Sequence, residues 1–209
     1  MDNAVALVRA YLHVNGYFTV TEFPVLEAIG SGGYRTATDV DVLAFRFPLA
    51  GLTVSGAAGA CGGGRTAGVL GPDPALGAPS DRPDMIVGEV KEGRACVNEA
   101  AWDPAVLGAV LARFGCCEPG HTARVAEELL RKGRAETPCG HRVRVVAFGS
   151  TPGGPTGGHR YTTVSMGHVV RFLQEQLRGH WEVLGQAQLK DPAFGFLATV
   201  EKALRGSRE

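Results

Sequence analysis

Three residues on two apolar stretches carry most of the chemistry legible in this chain. Asp41 lies between Val40 and Val42 in TDVDVLA at 38–44, and Glu89 and Lys91 stand two apart in GEVKEG at 88–93. Side chains two apart on an extended strand project from the same face, so Glu89 and Lys91 point together. A carboxylate flanked by apolar residues is costly to bury unpaired, of order several kcal/mol. Compensation comes from a Lys–Glu pair or from a bound cation. Two carboxylates and a peptide carbonyl form a hard-oxygen set suited to Mg²⁺ or Mn²⁺, and the Val90 carbonyl lies between the Glu89 and Lys91 side chains. An ion held there keeps waters and accepts a phosphate oxygen. Lys91 beside it orients or deprotonates an attacking water and neutralises charge developing on phosphorus. This is the equipment of metal-assisted phosphodiester hydrolysis. The competing expectation is structural: a Glu89–Lys91 pair at a strand end, with Asp41 solvated at a sheet margin.

A second set, Cys116, Cys117, His121, Cys139 and His141, has the residue types of a tetrahedral zinc site. It lacks the paired Cys-x₂-Cys spacing of zinc knuckles, and reduced core or loop thiols are the preferred reading. Cys61 and Cys96 are isolated. Arg131, Lys132, Arg134, Arg142 and Arg144, with Arg160 and Tyr161 further on, concentrate positive charge that reads either as a phosphate-tracking patch or as a solvated helix end. GACGGGRTAG lacks the Gly-Lys-Ser/Thr ending of a phosphate-cradling loop, although Gly62, Gly63, Gly64 and Arg65 suit a strap over a nucleic-acid backbone. His168 and His180 read as surface residues. No Gly-x-Ser-x-Gly elbow or other nucleophile arrangement is present.

The elements that must position these groups follow from periodicity and punctuation. A helix capped by Asp2 runs to about Asn15, stopped by Gly16. Tyr17 to Leu26 reads as a strand that Pro24 confines to an edge or a bulge. Thr36 to Phe47 is a central strand with Asp39, Asp41, Leu43 and Phe45 on one face. Residues 48–82 read as a glycine-rich insertion, an irregular flap or hairpin. Asp84 to Lys91 is the third strand. Helices from Asp103 to Phe114 and Thr122 to Lys132 precede a fourth strand, Arg142 to Phe148. A short strand at Tyr161 to Val164 and helices at Met166 to Trp181 and Asp191 to Leu204 complete one α/β domain over 1–209, with 165–209 a helical extension. Three consecutive strands suit a meander, and the helical crossover returns the fourth parallel to the sheet.

An acidic residue in one strand and Glu-x-Lys in the next, inside an αβββαβ order, resembles the PD-(D/E)XK nuclease superfamily with its restriction-endonuclease-like mixed sheet. The resemblance implies a DNA-acting, Mg²⁺- or Mn²⁺-dependent endonuclease, working as a homodimer or in a complex. It gives Asp41 and Glu89 metal-binding roles and Lys91 the catalytic lysine role. No Pro precedes Asp41. The literal Pro-Asp of the region, Pro83–Asp84, makes Asp84 the second choice for the aspartate. The first helix carries no acid after Asp2, leaving Glu22 or Glu27 as substitutes. The alternative from another class is a catalytically inactive relative serving as a binding or scaffold protein. A third is a small zinc-stabilised interaction module.

Composition narrows the rest. Lys plus Arg and Asp plus Glu are both 21 in 209 residues, which excludes a globally basic nucleic-acid coat but not a local groove. No apolar run of ~18 residues suggests a membrane span. The N-terminus lacks the pattern of a secretory leader. Five cysteines with no such leader imply reduced thiols and a cytoplasmic setting.

Overall fold

The computed structural model describes residues 2–30, 32–55, 66–151 and 160–206, with 52–55 and 66–69 described as backbone only. The chain begins with α1 (Asn3–Val14), whose N-terminus is capped by Asp2 Oδ1 accepting from the Ala4 N–H at 3.1 Å. Val5, Val8, Tyr11 and Leu12 recur at helical spacing and are buried. The helix ends at Asn15, ahead of Gly16 in the left-handed region.

β1 (Phe18–Ile29) pairs antiparallel with β2 (Gly33–Arg46), and β2 pairs antiparallel with β5 (Asp84–Arg94). α2 (Pro104–Phe114) and α3 (Pro119–Lys132) then cross over, and β7 (Arg142–Thr151) returns parallel to β5. The sheet order is β1-β2-β5-β7-β6. β6 (Arg134–Glu136) runs antiparallel beside the first residues of β7, and β8 (Thr162–Ser165) runs parallel beside its middle. β1 occupies the edge, with a register shift between Val25 and Leu26, next to Pro24. An edge accommodates the missing N–H of proline.

Alternation assigns the two faces. Val42, Ala44, Ile86, Val90, Val146 and Phe148 face α1, α4 (Met166–Gly179) and Phe194 of α6 (Pro192–Gly206). Leu43, Met85, Val87, Val143 and Val145 face α2 and α3. The result is a mixed sheet covered by helices on both faces, and most residues of β5 and β7 are buried on either face.

Several elements depart from the sequence expectations. β1, β2 and β5 are longer than expected. α3 starts at Pro119 instead of Thr122, β6 was not foreseen, and a short α5 (Trp181–Leu184) follows α4. The 48–82 segment contains a separate two-stranded hairpin, β3 (Leu52–Ser55) with β4 (Thr66–Leu70), and a 3-10 turn at Pro74–Leu76. Its second half is docked, because Leu70 and Leu76 are buried in the core. Buried Arg46 ties the docked segment down, donating to the carbonyls of Asn15 at 3.0 Å, Pro79 at 2.9 Å and Ala50 at 2.6 Å. Gly62, Gly63, Gly64, Arg65 and Cys61 lie outside the described residues.

Candidate active site

Asp41, Glu89 and Lys91 meet where β2 and β5 part. The backbone ladder between β2 and β5 closes at Val42↔Gly88, one step before Asp41 and Glu89. Beyond it the Val90 N–H donates to Asp41 Oδ2 at 2.7 Å, so a side chain replaces the strand backbone and fixes the carboxylate between the strands. A strand residue's N–H and C=O leave on the same edge, so the Val90 carbonyl also faces β2. Lys91 Nζ lies 2.5 Å from Glu89 Oε1; the Glu89 side chain is 5% exposed and that of Lys91 37%.

The electrostatics show how close the groups are. Burial pushes the Glu89 carboxyl above its usual range, and the neighbouring Asp41 charge pushes the same way; the Lys91 bond and the Asn98 N–H offset this only in part. Burial opposes charge on Lys91, but its bond to Glu89 and the charges of Glu89 and Asp41 outweigh that penalty and raise its pKa. A salt bridge ordinarily lowers its acid. Here the acid is the buried partner and is crowded by a second carboxylate, so both members move upward. Two carboxylates against one ammonium leave excess negative charge in a shielded place, and the donors are hard oxygens. Asp41, Glu89 and the Val90 carbonyl therefore fit a small divalent cation by charge and donor type. Among the described residues, no group of three or more His, Cys, Asp or Glu is placed to hold a metal, so a metal here would rest on the two acids, the carbonyl and water.

The other expectations sort as follows. Asp84 does not belong to this cluster. It is five residues from Glu89 on the same strand, roughly 16 Å at ~3.3 Å per residue, and projects to the opposite face, where it is fully buried. There it accepts from Tyr17 Oη, from Arg142 Nε at 2.6 Å and from Arg144 Nη2 at 2.9 Å. Asp84 is thus a structural anion, and Arg142 and Arg144 are its counter-ions before they are part of any surface patch. Arg144 is only 5% exposed and Arg131 lies elsewhere on α3. Glu22 falls between the register pairs Thr21↔Val42 and Phe23↔Val40, beside Asp41 on the ladder. Its φ of 55° is left-handed, a strained conformation for a non-glycine residue. Glu27 instead pairs with Arg35.

Among the described residues the thiols form no disulfide: Cys116 is buried, its Sγ 3.8 Å from the Leu111 carbonyl, Cys117 Sγ is 3.8 Å from Thr122 Oγ1, and Cys139 is exposed. Burial, with Cys117 next in importance, pushes the Cys116 thiol up to about 12, the behaviour of an inert core thiol. His121 is exposed, and His141 Nδ1 is buried without a hydrogen-bond partner. His168 is not a plain surface residue. Its Nε2 lies 2.5 Å from Asp73 Oδ2, which also accepts from Tyr11 Oη at 2.8 Å. Nothing local in the sequence signals this network, because its members are 62 and 95 residues apart. His180 sits at the end of α4, its Nδ1 3.1 Å from the Gln176 carbonyl.

No family model, curated protein or solved structure matches the chain. No helix among the described residues is long and apolar enough to cross a membrane.

Proposed function

We propose that this protein is a Mg²⁺- or Mn²⁺-dependent nuclease of the PD-(D/E)XK, restriction-endonuclease-like kind, hydrolysing phosphodiester bonds in DNA. The observation that carries the reading is the meeting of Asp41, Glu89 and Lys91 from adjacent strands at the point where their ladder opens. The αβββαβ element order and the parallel return of β7 support it.

Asp41, Glu89 and the Val90 carbonyl would hold the ion, which when bound supplies Lewis-acid polarisation of the phosphate and a more acidic water. The remaining work belongs to the chain. The Val90 N–H holds the Asp41 carboxylate in one orientation, so little reorganisation is needed on binding. Glu89, being buried, supplies negative charge where water screens it least. Lys91 Nζ, beside Glu89, would stabilise charge on the phosphoryl oxygens and orient a water by donating to it.

One observation favours a second reading, a catalytically inactive relative used for binding or scaffolding. Lys91 and Glu89 pair at 2.5 Å, the arrangement of a structural ion pair. Plasmid nicking with Mg²⁺ or Mn²⁺ separates the two. The nuclease reading expects cleavage that falls at least 100-fold in Lys91→Ala and in Asp41→Asn. No cleavage of supercoiled, linear or single-stranded DNA, together with no calorimetric binding of Mn²⁺, overturns it in favour of the inactive relative.

A further inference from the structure

A second feature lies at the opposite end of β5 and β7 from Glu89. A cavity of about 410 Å³ opens between the 75–77 turn, the start of β6 and β7, and residues 160–162. Five cationic side chains line it, Lys132, Arg134, Arg142, Arg144 and Arg160, and no Asp or Glu does so among the described residues. Part of that charge is spent. Arg142 and Arg144 bind Asp84 beneath the cavity floor, and Lys132 Nζ lies 2.7 Å from Glu128. Asp84 and Glu128 against five cations still leave an excess of positive charge. Arg134 is exposed on β6, and Arg160 is exposed with Nη1 donating to the Leu130 carbonyl at 3.2 Å. Both retain guanidinium donors for a ligand.

The cavity is built, not incidental. Gly133 takes a φ of 68°, and a Cβ there would stand 1.7 Å from the Arg160 carbonyl oxygen. Only glycine allows the turn after α3 to press on the 160–161 backbone, and that contact brings Arg134 and Arg160 to one rim. The Arg142–Asp84 and Arg144–Asp84 bonds hold the floor in place.

We propose that this cavity binds a phosphate group, with Arg134 and Arg160 as the gripping residues and Lys132, Arg142 and Arg144 supplying the field. Guanidinium forks match the oxygens of a phosphate bidentately. The phosphate comes either from a nucleic-acid backbone or from a free phosphorylated ligand. The site does not depend on the acidic cluster being a metal site, since that cluster lies at the other end of the strands.

The test is calorimetric titration of the full chain with pyrophosphate, in EDTA so that the acidic cluster takes no part, followed by a fluorescein-labelled oligothymidylate in the same buffer. Wild type is compared with Arg134→Ala/Arg160→Ala, whose fold is checked by circular dichroism; both side chains are exposed, so the fold should survive. Saturable pyrophosphate binding that weakens at least tenfold in the double variant, and weakens with added salt, is the expected result. Oligonucleotide that competes with pyrophosphate identifies a nucleic-acid backbone as the source. Pyrophosphate binding that the oligonucleotide does not disturb identifies a free phosphorylated ligand. No saturable binding of pyrophosphate by wild type, or equal binding by the double variant, overturns the proposal.

Discussion

The carboxylates of this protein behave differently according to what is placed against them. Glu89 is buried and crowded by a second acid, and is pushed up, whereas Asp73 is pulled down. Burial opposes charge on Asp73, but the bonds from His168, from the Ala75 N–H and from Tyr11 outweigh it. An acid whose folded-state pKa lies below its unfolded value stabilises the fold above that unfolded value, and the contribution is lost as pH falls through the folded one. The stability gap between wild type and Asp73→Asn should therefore be widest near neutrality and narrow as pH is lowered through 3.8 and below. Urea melts at a series of pH values measure it. At the candidate active site the expected outcome is twofold. Lys91→Ala should lower DNA cleavage at least 100-fold and also destabilise the fold, because it leaves the Glu89 carboxylate, 5% exposed, without its counter-ion. A cleavage assay beside a thermal melt separates the two effects.

Elements are positioned by a few backbone demands that side-chain patterns do not reveal. Gly133 ends α3 and lies against the Arg160 carbonyl, so Gly133→Ala meets both a left-handed φ and a backbone clash. A loss of about 2 kcal/mol or more is expected, read as a lower urea midpoint. At the start of α2, Asp103 Oδ1 accepts from the Ala105 and Val106 N–H groups at 2.8 and 3.3 Å. Asp103→Ala should cost about 1 kcal/mol, the usual worth of an N-cap, by the same measurement. Comparing the two variants separates a turn that fits glycine alone from a cap that merely prefers a polar residue.

At the scale of the whole molecule, Asp84 joins parts far apart in the chain. Tyr17 after α1, Arg142 and Arg144 of β7, and through Arg144 Nη1 the Leu76 carbonyl all converge on or around it. Asp84→Ala would leave Arg144 buried with no counter-ion. That should destabilise the protein by about 3–5 kcal/mol, and Asp84→Ala/Arg144→Met should recover a large part of the loss. Chemical denaturation of the two variants beside wild type checks it.

Local chemistry determined much of this protein from sequence alone. Cap and stop residues set α1 and α2, and the period-two alternation put Glu89 beside Lys91. Those are neighbour effects, written within a few residues. The tertiary structure alone decided that the faces of two strands coincide, so that Asp41 reaches the Val90 N–H across the sheet. It also turned Arg142 and Arg144 from a surface patch into counter-ions of Asp84, docked residues 70–83 on the core, and drew His168 into a bond with Asp73. β6 was illegible for the same reason: three residues carry too little pattern, and pairing with β7 is what makes them a strand. Contacts between residues tens of positions apart depend on how the chain closes on itself, and periodicity holds no record of that.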